Sequence, residues 1–96
     1  MRIFRPKRAD GRPYRRWYVE TRSHDRRVVR LAGFRSGAAT RELGRRVEEI
    51  IGLRAVGAAL TADLRRWVDG LRADIRDRLV ELNILDAGAS ATAKRL

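Results

Sequence analysis

Residues 12–35 read RPYRRWYVETRSHDRRVVRLAGFR. Eight arginines fall in this stretch, yet Trp17, Val19, Val29, Leu31 and Phe34 are spaced as if a core requires them. Strand alternation reconciles the two. Within residues 16–22, Trp17, Val19 and Thr21 share one face, while Arg16, Tyr18, Glu20 and Arg22 share the other. SHDR at 23–26 has turn chemistry. Beyond it Val29 and Leu31 share a face, and Val28 and Arg30 take the opposite one. The stretch is therefore expected to form a β-hairpin with one apolar and one basic face.

A hairpin with an apolar face needs cover to be stable, and the following residues supply it. Ser36 is a suitable N-cap. Leu43, Val47, Ile50, Ile51 and Arg54 follow a helical period, giving a helix over about 37–56 with Gly57 as its stop. Thr61 caps a short second helix through Leu64, Trp67 and Val68, and the Asp69-Gly70 pair ends it. Leu71, Ile75, Leu79 and Leu82 form the stripe of a third helix, after which Asn83 takes a left-handed conformation. The expected fold class is α+β: a small two- or three-stranded antiparallel sheet packed on one helix, followed by a helical hairpin. The expected divisions are a basic arm at 1–14, carrying a short strand near Arg2–Arg5, a sheet-plus-helix domain at 15–57, a helical extension at 58–86, and a linker or tail at 87–96.

Charge narrows the class of partner. The 96 residues carry a net charge of +11. Residues 1–36 hold 12 Lys or Arg against 3 Asp or Glu, whereas residues 37–96 hold 11 against 9. A basic end on a nearly balanced body points to a polyanion, nucleic acid first and an anionic membrane surface second. All but two of the cations are Arg, whose guanidinium forks onto phosphates and guanine edges. A genome rich in G and C also favours Arg codons, but that does not account for the uneven placement.

On an exposed β-ribbon, Arg16, Tyr18, Glu20, Arg22 and Arg30 have one parity and suit the major groove of double-stranded DNA. There Arg can hold guanine and Glu20 can accept from cytosine. Arg26 and Arg27 at the turn would meet the backbone. Arg5, Lys7, Arg8, Arg12 and Arg15 on the arm would track phosphates or lie in a minor groove. Tyr18 is the candidate for stacking on bases, whereas Trp17 and Trp67 are assigned to packing.

Other functions find no footing. There is no Cys and a single His, His24, so neither a disulfide nor a zinc site is expected. No phosphate loop, nucleophile elbow or metal-binding spacing occurs, so no enzyme, cofactor or small-molecule substrate is expected. No run of 18 apolar residues and no signal-peptide core are present, so no membrane partner is expected and the location read is cytoplasmic, at the nucleoid.

The order of a basic arm, RRWYVETRSHDRRVVRLAGF and a helix beginning SGAATRELGRRVEEII resembles the amino-terminal, arm-type DNA-binding domain of tyrosine recombinases, the integrases of phages and transposons. The family pattern W-Y-V-x-[FY]-x-D, a turn, a basic strand, an aromatic and an Ala-rich helix start falls on Trp17, Tyr18, Val19, Thr21, Phe34, Ala38 and Ala39. LTADLRRWVDGLRADIRDRLVELNILD, residues 60–86, is similar to the helical segment that bacterial integrase-like proteins carry before the core-binding domain. The resemblance implies DNA binding at accessory sites and contact with other recombinase subunits. The chain departs from the family in lacking Gly at the SHDR turn and in having no Arg–His–Arg–Tyr set for strand cleavage. A fragment of a longer recombinase and a stand-alone relative are both compatible with this. The alternatives from other classes are an RNA-binding or ribosome-associated module and a helical protein-interaction module.

Overall fold

The computed structural model describes residues 1–86; the linker or tail expected at 87–96 lies outside the described residues. Three strands, β1 (Arg2–Phe4), β2 (Tyr18–Arg22) and β3 (Val28–Ala32), precede three helices, α1 (Gly37–Ala55), α2 (Ala62–Asp69) and α3 (Ala73–Glu81). The sheet is antiparallel, in the order β1-β2-β3, with β2 central. The fold is a small α+β fold.

The alternation read from residues 16–32 holds. Val19, Thr21 and Leu31 are buried, and Val29 is half-buried on the same side. Ile3 on β1 is paired with Val19, which is itself paired with Leu31, so all three strands contribute one residue to this inner row. Leu43, Val47, Ile50 and Ile51 of α1 meet that face. Gly44 lets β1 approach the helix, since a Cβ there would reach within 3.3 Å of Ile3 Cδ1. The inner-facing Thr21 hydroxyl donates to Glu48 Oε2 of α1 at 3.1 Å.

The sheet-to-helix corner is fixed by Thr40, which is fully buried. Its hydroxyl accepts from the Phe34 backbone N at 2.9 Å and donates to the Ser36 carbonyl at 2.9 Å. Ser36 Oγ caps the helix by accepting from Ala39 N at 3.1 Å. Gly33 lies so near this side chain that a Cβ would fall 2.6 Å from Thr40 Cγ2. Trp17 lies outside the central core. It packs its ring on Gly37 at the start of α1, and its backbone N donates to the Phe34 carbonyl at 2.8 Å.

The helical extension is not a separate unit. Leu64 and Val68 of α2 and Ile75 and Leu79 of α3 join the core that holds Val19 and Leu31. Gly57, at φ 71°, ends α1 in a left-handed turn, with Ala58 N donating to Leu53 O at 2.9 Å. Asn83, at φ 61°, does the same after α3 and turns Ile84 and Leu85 into the core, 1% and 4% exposed. The third helix starts two residues later than its apolar stripe predicts, at Ala73, and Leu71 and Leu82 are only half-buried at its ends. α3 runs beside the β3 edge, where Arg78 Nη2 lies 3.4 Å from the Arg30 carbonyl.

The short strand expected near Arg2–Arg5 is β1, and the rest of the segment expected as a basic arm folds into a closed hairpin. β1 pairs with β2. Residues 5–17 then fold back, with Tyr14 N donating to Pro6 O at 2.8 Å and Lys7 bridging Pro13.

Packing at the corner yields a test. Thr40 is held by hydrogen bonds on two sides and cannot yield to a methyl group. Gly33→Ala is therefore expected to destabilise the fold by about 1–3 kcal/mol, an overpacking cost, read from the midpoint of urea unfolding. Gly52→Ala, at a helix position where a Cβ meets nothing within 4 Å, should be neutral or stabilising.

Candidate nucleic-acid interface

With α1 beneath the sheet and α3 along the β3 edge, the other face of the sheet is open. It carries Arg2 and Phe4 from β1, Tyr18, Glu20 and Arg22 from β2, and Val28, Arg30 and Ala32 from β3. Register sets these residues in rows. Arg2, Glu20 and Arg30 lie side by side, as do Phe4, Tyr18 and Ala32, and Arg22 is opposite Val28.

Glu20 is the only carboxylate of the face. The Arg30 Nε donates to its Oε2 at 2.7 Å. That hydrogen bond, aided by the charges of Arg2 and Arg30, holds the Glu20 carboxyl below the usual carboxylate range. Arg30 is thus largely neutralised in place, and Arg2 and Arg22 supply the uncompensated charge of the face. Arg2 lies over the Phe4 ring at 4.3 Å. Arg22 points along the strand towards the Arg26 carbonyl, 3.4 Å away.

The two hairpin tips share one design. In residues 8–12, RADGR, Arg8 N donates to Arg12 O at 2.7 Å and Gly11 N to Arg8 O at 2.9 Å. In residues 23–27, SHDRR, Ser23 N donates to Arg27 O at 2.9 Å and Arg26 N to Ser23 O at 3.0 Å. Each has Asp at the third position, whose Oδ1 faces the backbone N two residues on, at 3.0 Å for Arg12 and 3.4 Å for Arg27. Each has a left-handed fourth residue, Gly11 at φ 84° and Arg26 at φ 67°. This is the three-residue hairpin loop, a type I turn closed by a left-handed residue. At the second tip Arg26 stands where glycine is favoured, at a strain of about 1 kcal/mol or more. The absence of Gly from SHDR therefore leaves the hairpin geometry intact.

The sequence-read site residues fall in three places. Tyr18, Glu20, Arg22 and Arg30 share the open face as alternation requires. Arg26 and Arg27 sit at one end of the sheet, where Arg27 Nε pairs with Asp25 Oδ2 at 2.9 Å. Arg5, Lys7, Arg8, Arg12 and Arg15 are on the hairpin that leaves the other end. Arg16 departs from its expected place on the face. It precedes β2, and its Nη1 pairs with Asp74 Oδ2 of α3 at 3.4 Å. Arg5 lies over the Trp17 ring at 5.4 Å.

At the Arg8–Arg12 end the surface is concave, an open depression of about 610 Å³ that includes Arg8, Arg12, Tyr14, Arg15, Tyr18 and Arg35 in its lining. Among the described residues Arg8, Arg12, Arg15 and Arg35 make no ion pair. Arg2, Phe4, Tyr14 and Arg35 were not singled out as site residues by sequence reasoning. The Asp10-Gly11 pair between alternating segments was the available signal for the first two, because it marks a hairpin. Arg35 carries no such signal; its position follows from the Thr40 corner. No group of His, Cys, Asp and Glu that could hold a metal occurs among the described residues, nor does a helix long and apolar enough to cross a membrane. Compared with known proteins, the chain matches no family model, no curated protein and no solved structure.

Asp25 offers a test of the second tip. Its carboxyl accepts from the Ser23 hydroxyl, the Arg27 backbone N and the Arg27 guanidinium, and these lower it from 3.8 to about 2. A depressed acid stabilises the fold above its unfolded value, and the contribution is lost as pH falls from 3.8 towards 2. Carboxyl NMR titration should place Asp25 near 2, and Ser23→Ala should move it up towards 3.8.

Proposed function

We propose that this chain binds double-stranded DNA by laying the open face of its sheet in the major groove, with the Arg8–Arg12 hairpin on the adjacent backbone. The observation that carries the reading is the one-sided layout. A narrow three-stranded sheet has α1 beneath it and α3 at its β3 edge, and its free face is lined by Arg2, Arg22 and Arg30 with a single carboxylate. A ribbon of this kind can enter the major groove and offer alternate side chains to base edges. In this arrangement Arg22 and the Glu20–Arg30 pair face the bases. A Glu beside an Arg combines an acceptor for cytosine N4 with a donor fork for guanine. Arg5, Lys7, Arg8, Arg12 and Arg15 at one end and Arg26 and Arg27 at the other serve the phosphates on both sides of the groove. Arg26, in a left-handed position at the second tip, adds a cation at that end.

The resemblance to recombinase arm-binding domains gives the proposal its setting. The domain would tether an integrase-like recombinase to accessory DNA sites and act beside other recombinase subunits at the nucleoid. Its own part is binding, with strand cleavage left to other residues.

Fluorescence anisotropy with a DNA duplex tests the proposal. About five phosphate contacts give a slope of about −4 to −5 in log affinity against log salt. Arg12→Glu, Arg15→Glu and Arg22→Glu combined should weaken binding by about a hundredfold or more while the circular dichroism spectrum is retained. A slope near zero, or full affinity in the triple variant, contradicts it. Duplex RNA should compete poorly, because the deep, narrow A-form groove excludes a ribbon; equal competition would favour an RNA-binding module instead.

A further inference from the structure

Three aromatic rings form a ladder from the open face of the sheet into the basic depression. Phe4 and Tyr18 are 6.0 Å apart and tilted by 34°, and Tyr18 and Tyr14 are 6.4 Å apart and tilted by 42°. Tyr14 is the outermost rung and is 41% exposed. Arg12 and Arg15 flank it in sequence, Arg8 and Arg35 join them in the lining, and no carboxylate lines the depression. Asp10 of the turn is turned to the backbone, accepting from Arg12 N at 3.0 Å, and Arg16, also in the lining, pairs with Asp74 of α3.

Guanidiniums gathered around one hollow with no carboxylate in its lining repel one another, and a bound phosphate relieves that repulsion. The hollow measures about 610 Å³, within the usual range of about 300–1,000 Å³ for small-ligand sites. It suits one or two nucleotides and not the width of a duplex. A ring beside a phosphate-binding fork is the combination used for unpaired nucleotides, because a base presents its π-face only when it is not stacked inside a helix.

We propose that the depression between the Arg8–Arg12 turn and Tyr18 binds an unpaired nucleotide, stacking its base on Tyr14 and holding its phosphate with Arg12 and Arg15. The inference rests on nucleic acid being the partner of the sheet face and adds a second element to it. The preferred ligand is then a duplex continued by a short single strand, with the duplex on the sheet and the first unpaired bases in the hollow.

The test compares three DNAs: a blunt duplex, the same duplex with a short oligothymidylate extension, and the same duplex with an extension of abasic sites carrying equal charge. Free oligothymidylate is a fourth probe. The base-bearing extension should bind roughly tenfold tighter than the blunt duplex, the scale of one stacked base, and the abasic extension should not reproduce the gain. Tyr14→Ala should bring the ratio of extended to blunt affinity down to that of the abasic DNA, and Tyr14→Phe should restore it. Equal binding of base-bearing and abasic extensions overturns the inference, as does an undiminished ratio in Tyr14→Ala. Duplex binding without the base-dependent gain removes this inference and leaves the major-groove reading standing. Tyr14-dependent binding of oligothymidylate with no binding of duplex does the reverse. Failure to bind any of the four removes both.

Discussion

The hydroxyl of Thr40 is the joint on which the two-sided layout depends. It bridges the Phe34 N–H and the Ser36 carbonyl, and so ties the end of the sheet to the first turn of α1. A buried hydroxyl with both roles satisfied contributes one to two hydrogen bonds, about 1–3 kcal/mol, but its geometric effect is larger. It directs α1 back under β1 and β2. Gly33 and Gly37 are the space this corner requires, one for Thr40 and one for Trp17. With the inner face covered, Val19, Leu31 and the α1 stripe bury one another, and every even-numbered residue of β2 is left outside.

That constraint turns a basic sequence into a basic surface. The net charge of +11 would merely solubilise an unordered chain. Strand register instead places Arg2, Glu20 and Arg30 in one row, and the first hairpin gathers further guanidiniums around Tyr14. The structure also separates the arginines by availability. Arg16, Arg27 and Arg30 are spoken for by Asp74, Asp25 and Glu20, and exposed pairs of this kind are worth little each. Arg8, Arg12, Arg15 and Arg35 have no such partner among the described residues. They are the ones most ready to exchange small counterions for phosphate.

Much of this was legible in the sequence because it depends on local rules. Period-two alternation assigned Val19 and Leu31 inward and Tyr18, Arg22 and Arg30 outward. Ser36 and Thr61 as caps, and Gly57 and Asn83 as left-handed stops, follow from backbone chemistry that few other residues satisfy. What escaped was non-local. The short strand expected near Arg2–Arg5 is β1, but which strand it joins depends on its pairing with β2, which three residues do not announce. Ile84 and Leu85 lie beyond the helical stripe and enter the core only because Asn83 reverses the chain. Arg16 had the parity of the open face, but a carboxylate 58 positions away draws it to α3. The depression itself joins residues from the first hairpin, β2 and the β3–α1 corner, and no periodicity in the chain announces that meeting.

The central claim is that nucleic acid is met by the open sheet face and the first hairpin. Backbone amide shifts of the isotope-labelled protein, followed by NMR during titration with duplex DNA, test it most directly. The account expects the largest changes at Tyr18, Glu20, Arg22, Arg30 and residues 8–15, with the outer surfaces of α1 and α2 unmoved. Changes concentrated on α2 and α3, with the sheet silent, would contradict it.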